Sequence, residues 1–312
     1  MTRMRVTKPG LLTTVQDLGR RGCAHAGVSG GGAADTLSLR IANRLVGNSE
    51  ECPALEMTLL GAELESEGEA VVAITGAMAE CVVTMPDASR ELAPQWEPFQ
   101  LRAGERLDCG AATEGARLYV AVAGGFEVQR VLDSASTFLP GKLGGVEGRA
   151  LRVGDVIDIG NEHGTPRGLH SGALDGLFAR EIRVTPGPQR DWFDDATLAR
   201  LVAGEYTVSD DSNRNGVRLK GESVVPRAKR ELLTEGVALG ALQVPADGQP
   251  IILFVDQQTT GGYPKIANVI AADMHRVGQL KPRDVVRFHS VTIDEAVEVL
   301  RAQERWLREL LP

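Results

Sequence analysis

Arg117-Leu118-Tyr119-Val120-Ala121-Val122-Ala123 runs into Gly124-Gly125, and Ala70-Val71-Val72-Ala73-Ile74-Thr75 runs into Gly76. Short apolar runs rich in valine and stopped by glycine read as buried strands. Glu181-Ile182-Arg183-Val184-Thr185, Pro250-Ile251-Ile252-Leu253-Phe254-Val255 and Asp284-Val285-Val286-Arg287-Phe288 read the same way. Helices are few. Asp35 can cap a segment carrying Leu37, Ile41, Ala42 and Leu45, which Gly47 closes. A second helix is expected from about Asp195 to Val202, with Gly204 after it. A third opens on Thr292-x-x-Glu295, a capping box, and carries Val297, Leu300, Leu307 and Leu311 at helical spacing. Many strands, few helices and abundant glycine predict a mainly β chain (α+β), built as barrels or sandwiches rather than as a doubly wound sheet.

The 312 residues include 43% apolar but only 4% aromatic side chains, so the core must be aliphatic. At roughly 100–200 residues per domain, this length suits two domains or one large one. With 34 Lys+Arg against 42 Asp+Glu the formal charge is −8, which argues against nucleic-acid and membrane-surface partners. No apolar run approaches the ~20 residues that span a bilayer. Met1–Pro9 is basic without an apolar stretch after it, and Cys23, Cys52, Cys81 and Cys109 form no C-x-x-C pair. These features predict a cytoplasmic protein with reduced thiols.

A faint internal echo predicts two related β-rich modules. Val6-Thr7-Lys8-Pro9-Gly10 resembles Val184-Thr185-Pro186-Gly187-Pro188, and Leu151-Arg152-Val153-Gly154-Asp155-Val156-Ile157 resembles Leu280-Lys281-Pro282-Arg283-Asp284-Val285-Val286. The modules meet near residues 165–182, giving 1–175 and 176–312; one large mixed domain is the alternative.

Several catalytic devices are missing from the sequence. Gly141-Lys142 lacks the leading glycine and the trailing hydroxyl of a P-loop, and there is no G-x-S-x-G elbow or H-E-x-x-H. Gly27, Gly30, Gly31 and Gly32 follow no clear strand and read as a turn. The five histidines have no metal-ligand spacing, and no Met-Lys-Met biotin attachment site is present.

What remains is polar residues set among glycines. Asp256-Gln257-Gln258-Thr259-Thr260-Gly261-Gly262-Tyr263-Pro264-Lys265 follows an apolar strand. Bare glycine backbone admits a ligand closely, amides and hydroxyls orient it, and Lys265 can meet a carboxylate or a developing oxyanion. The alternative is a loop that satisfies its own backbone. Ser209–Leu219 sets Arg214 between Asn213 and Asn215, and arginine suits two-pronged recognition of carboxylate or phosphate. Thr14–Gly22 presents Gln16 and Arg20 likewise; a salt-bridged surface turn is the alternative for each. Together these stretches predict one glycine-floored cup lined by amides and cations. Trp96, Trp192 and Phe193 read as core residues, or else as ring anchors for a partner.

Gly10–Arg20, Leu39–Asn48, Leu55–Gly61 and Ile74-Thr75-Gly76-Ala77 are followed by Asn213-Arg214-x-Gly216-x-Arg218-Leu219-x-Gly221, Gln243-Val244-Pro245-x-x-Gly248-x-Pro250 and Gln258–Pro264. This order over nearly the whole chain resembles the allophanate-hydrolase-subunit-2 family, also described as carboxyltransferase subdomains C and D. That family includes the C subunit of bacterial 5-oxoprolinase and part of urea carboxylase. Gly31-Gly32-Ala33-Ala34-Asp35 stands where members often have Ser-Gly-Ala-Met-Asp, and Arg214-Asn215-Gly216 where they often have Arg-Met-Gly. Asp35, Arg40 and Arg214 keep the charged groups.

The resemblance implies two cyclophilin-like β-barrel modules, the first subdomain C-like and the second subdomain D-like. It implies the C subunit of an ATP-dependent 5-oxoprolinase that hydrolyses 5-oxo-L-proline to L-glutamate. Its partners would be a subunit-1-like chain (the B subunit) and a third component. Lys265, Thr260 and Gln258 are the expected catalytic groups. Arg214, Asn213, Tyr263, Gly261, Gly262, Gln243, Gln16, Arg20, Asp35 and Arg40 are the expected substrate-binding residues. ATP is consumed by the complex, and the isolated chain is expected to be inactive. Two alternatives stand beside this. One is the carboxyltransferase component of a biotin-dependent urea or amide carboxylase, with biotin on another chain. The other is a non-enzymatic regulator that binds a subunit-1-like kinase inhibitor.

Overall fold

The strand Arg3–Lys8 (β1) alternates strictly, burying Met4 and Val6 while Arg3 and Lys8 pair with acids of neighbouring strands and Arg5 with Glu67, one residue beyond a strand end. A computed structural model describes residues 2–161, 163–169, 177–228 and 230–310. It divides into two units, Met1–Arg20 with Gly31–Asp175 and Leu307–Pro312, and Arg21–Gly30 with Gly176–Trp306. The expected module boundary at 175/176 lies outside the described residues.

In the first unit β1 is followed by β2 (Thr13–Gln16), β3 (Ala54–Thr58), β4 (Glu63–Ser66), β5 (Ala70–Ala79), β6 (Val82–Thr84), β7 (Arg90–Leu92), β8 (Pro98–Leu101), β9 (Arg106–Asp108), β10 (Ala112–Val122), β11 (Phe126–Glu127) and β12 (Val156–Ile159). They make a seven-stranded sheet, β11-β12-β1-β4-β9-β6-β7, and a five-stranded sheet, β2-β3-β10-β5-β8. Met4, Val6, Leu64, Leu107 and Ile157 of the first join Leu55, Met57, Val72, Ile74, Leu118 and Val120 of the second in one aliphatic core.

The helix α1 (Thr36–Leu45) packs beside β5 and β10, where Thr75 Oγ1 donates to the Ser38 carbonyl at 2.8 Å. Hence β5 and β10 are buried on both faces and read as continuous apolar runs instead of alternating.

The second unit contains β13 (Glu181–Pro186), β14 (Tyr206–Val208), β15 (Gly216–Lys220), β16 (Glu235–Gly236), β17 (Ala241–Gln243), β18 (Ile251–Leu253), β19 (Thr260–Gly261), β20 (Lys265–Val269) and β21 (Val285–Ser290). Seven of them close a barrel in the order β13-β20-β17-β18-β15-β14-β21, while β16 and β19 form a separate ribbon. Closure removes every exposed edge from the seven strands. The mainly β expectation holds, with four α-helices among the described residues.

Helix α2 (Asp195–Ala203) starts one residue after Asp194, whose carboxylate accepts the Thr197 N–H at 2.7 Å, and Gly204 follows it. A short α3 (Met274–Gly278) precedes β21. In α4 (Ile293–Leu310) the expected capping box is reciprocal: Glu295 N–H donates to Thr292 Oγ1 at 3.2 Å, and Thr292 N–H to Glu295 Oε2 at 2.7 Å.

The echoed segments occupy corresponding strands with one difference. β12 lies antiparallel to β1, whereas β21 lies parallel to β13. Trp96 and Phe193 are buried, and the Arg230 guanidinium lies 5.4 Å from the centroid of the Trp192 ring.

Candidate functional site

β20 opens on Lys265, and a register shift after Leu242 sets Gln243 of β17 opposite it. Lys265 is 2% exposed, and its ammonium meets one carboxylate, that of Glu235 on β16. Gln189 ties this pair together: its Nε2 donates to Glu235 Oε1 at 2.9 Å, and its Oε1 accepts the Lys265 backbone N–H at 3.1 Å. Gln189 arrives there because the chain after β13 runs tight against β20. A Cβ on Gly187 would lie 2.4 Å from the Lys265 carbonyl oxygen.

Gln243, also 2% exposed, accepts from Gln258 Nε2 at 3.4 Å, and its own Nε2 has no hydrogen-bond partner among the described residues. Gly261 pairs with Glu235 across the ribbon, and a Cβ there would lie 2.6 Å from Gln243 Nε2. The Lys265 ammonium, and then the Gln189 amide, hold the Glu235 carboxyl below the usual carboxylate range. The cluster therefore offers a buried cation with N–H groups to spare, a buried amide donor and the amide of Gln258. Such a set suits a carboxylate or carbonyl oxygen, with the Gln258 amide able to pair with a second amide.

The model of the carboxyltransferase domain, subdomain A and B, matches residues 26–290. This chain belongs to that family. The carboxyltransferase domain is the family that the sequence motifs indicate, although the matched pair of subdomains is A and B where the resemblance named C and D. The chain is 39% identical over 309 residues to the C subunit of the 5-oxoprolinase of Escherichia coli (strain K12), covering 98% of this chain and 97% of that protein. It is 32% identical to urea amidolyase of Saccharomyces cerevisiae, covering 99% of this chain and 18% of that one. The solved urea amidolyase of Kluyveromyces lactis superposes with a TM-score of 0.91 at 31% identity, over 99% of this chain and 20% of that chain. The chain thus aligns along 97% of the C subunit of a 5-oxoprolinase and along about one fifth of a urea amidolyase.

In this member of the carboxyltransferase domain family the other expected residues have diverse settings. Arg214 is enclosed with Asp256, Nε to Oδ2 at 2.8 Å and Nη2 to Oδ1 at 3.1 Å, so its two-pronged recognition is of an internal carboxylate. Asn213 is exposed and accepts the Asn215 N–H at 2.8 Å, stabilising its own turn. Tyr263 is half exposed and lines a separate hollow of about 280 Å³ with Arg218, Pro245, Asp247 and Pro250. That hollow includes none of Lys265, Gln243, Gln258 or Arg214 in its lining. Thr260 and Gly262 are exposed beside it in sequence. The expected single cup is corrected accordingly: Lys265, Gln243, Gln258 and Gly261 come together, Tyr263 faces another hollow, and the charge of Arg214 is answered by Asp256.

The four expected residues of the first unit are built into its framework. Gln16 is buried and donates to Thr14 Oγ1 and to the Thr137 carbonyl. Arg20 donates to the carbonyls of Val131 and Ser136. Asp35 caps α1, accepting from Ser38 N–H at 2.9 Å and Ser38 Oγ at 2.5 Å. Arg40 pairs with Glu50 at 2.6 Å.

Sequence reasoning missed Glu235, Gln189 and Asp256. A lysine on a buried strand requires a counter-ion, which is the one signal that pointed to an acid; nothing in Leu233-Thr234-Glu235-Gly236 said which acid it would be. Among the described residues no helix is long and apolar enough to cross a membrane.

Proposed function

We propose that this chain is the C subunit of an ATP-dependent 5-oxoprolinase, opening the lactam of 5-oxo-L-proline to L-glutamate together with a subunit-1-like chain and a third component. The observation that carries this is end-to-end similarity to the C subunit of a 5-oxoprolinase, with 98% and 97% of the two chains aligned. The chemistry of the Lys265 cluster supports it. The substrate's carboxylate calls for a cation, and its ring amide calls for a donor and an acceptor, which Lys265 and the Gln243 and Gln258 amides supply. An unactivated lactam is a poor electrophile, so ATP has a chemical reason to be consumed.

The cluster itself does not fit a triphosphate. Its single ammonium is already opposed by Glu235, leaving no surplus positive charge for a polyanion. No phosphoryl step is therefore assigned to these residues, and the nucleotide is proposed to act on partner chains. The four free cysteines suit a reducing compartment, consistent with work in the cytoplasm.

Glutamate release from 5-oxo-L-proline tests this reading, using the chain alone and reconstituted with the products of its neighbouring genes, with and without ATP. Expected is no turnover by the chain alone and ATP-dependent, avidin-insensitive release by the reconstituted complex. Turnover by the isolated chain would overturn the shared-site reading.

The close superposition on urea amidolyase favours a second reading, a carboxyltransferase that takes carboxybiotin carried on another chain. There Lys265 would hold the carboxyl group, and avidin would abolish activity.

A further inference from the structure

Lys265 and Glu235 differ sharply in their freedom. The Lys265 side chain is 3% exposed and fixed within β20, whereas the Glu235 side chain is 41% exposed on a ribbon of two-residue strands. The lysine cannot leave, and an ammonium left alone in that setting would be costly to bury. The carboxylate can turn into water, where its charge is solvated, provided that something else answers the lysine. Gln243 Nε2, buried and without a partner among the described residues, sits by the same stretch of β19 and offers a second donor to whatever does so.

We propose that Glu235 is an exchangeable counter-ion: it competes with the substrate's carboxylate for Lys265, and binding replaces one carboxylate by the other. This rests on the reading of the Lys265 cluster as the substrate site, and it deepens that reading by naming the substrate class as monocarboxylates. The exchange conserves charge at the lysine, with no proton transferred. Gln189 loses its bond to Glu235 and keeps its bond to the Lys265 backbone. The internal competitor also sets selectivity, because a neutral analogue has no carboxylate with which to displace Glu235.

The test is titration of the reconstituted complex, without ATP, with 5-oxo-L-proline and with its neutral carboxamide, followed calorimetrically. Glu235→Gln should tighten binding of the acid by roughly tenfold, the scale of one charge-assisted hydrogen bond removed from competition. Binding of the carboxamide should remain unchanged. Glu235→Asp, which keeps the charge on a shorter arm, provides a variant with less risk to folding and should tighten the acid by a smaller factor. Lys265→Met should abolish acid binding, and Glu235→Gln should then add nothing. If Lys265→Met abolishes binding while neither Glu235 variant tightens it, the exchange is wrong and the site reading stands. If Lys265→Met leaves acid binding intact, or no variant binds the acid saturably, the site reading falls and the exchange with it.

Discussion

Arg214 and Asp256 form a two-pronged ion pair at 2.8 and 3.1 Å, with side chains only 8% and 2% exposed. Backbone reinforces it, the Asp256 N–H donating to the Arg214 carbonyl at 2.9 Å. Removing one partner leaves the other charge buried and unanswered, which costs about 3–5 kcal/mol, whereas replacing both costs far less. Arg214→Ala should therefore unfold at markedly lower urea concentration, and Arg214→Met with Asp256→Leu should recover most of the loss. If Arg214→Ala keeps the wild-type midpoint while losing activity, the arginine acts on substrate and the pair is not structural.

Asp17 is another buried charge, held by hydrogen bonds instead of a cation. Its Oδ1 accepts from Gly19 N–H, Ser134 Oγ and Ser136 Oγ, and its Oδ2 from Ala135 N–H, at 2.5–2.8 Å. Burial pushes its carboxyl upward, but the four donors, led by Ser136 and Ser134, outweigh burial and leave it lowered. A lowered folded value means that the stabilisation is complete above the unfolded carboxylate value of about 4 and is lost as pH falls through the folded value.

Asp17→Asn should cost about 2–3 kcal/mol at pH 7, because its amide turns a donor towards the Ala135 N–H. The gap to wild type should begin to narrow below about pH 4 and close as pH falls through the lowered folded value, where the wild-type carboxylate itself becomes protonated. Urea midpoints from pH 7 to pH 3 measure this, and parallel curves for the two proteins would refute it.

Local order was legible where the deciding residues are sequence neighbours. Thr292 and Glu295 announce α4, Asp35 announces α1, and the valine runs announce β5 and β10, because capping and strand pairing to a buried sheet leave short-range marks. Lys265, Gln258 and Gly261 stand in one polar, glycine-rich stretch and Gln243 in a motif of the family resemblance, and these four do come together. Their electrostatic completion was not legible. Asp256 lies 42 residues from Arg214 and Gln189 lies 76 from Lys265, and only barrel closure brings them into register. A cation in sequence looks available until the fold supplies its acid.

Gly76 shows how a family motif can be a backbone requirement. It sits inside β5 with φ +84°, opposite the register shift between Glu114 and Leu118 on β10. An added Cβ would lie 2.2 Å from the Arg117 carbonyl oxygen, and that atom belongs to paired backbone. Both the positive φ and the clash oppose a side chain, so Gly76→Ala should destabilise by about 3 kcal/mol or more. A thermal midpoint equal to that of wild type would show that the left-handed backbone at this position does not require glycine.

Gly261 should respond to the same substitution in the opposite way. Its backbone has no left-handed demand, and an added Cβ would meet only side-chain ends, Gln243 Nε2 at 2.6 Å and a Val237 methyl at 3.2 Å. Such ends yield cheaply, so Gly261→Ala should change stability by less than about 1 kcal/mol. The methyl would nevertheless occupy the space beside the buried donor that the proposed substrate carboxylate uses. In the reconstituted complex, KM for 5-oxo-L-proline should rise by about tenfold or more, with the urea midpoint nearly unchanged. A variant with wild-type KM would separate Gly261 from the site, and one that unfolds early would show that the glycine serves the ribbon instead.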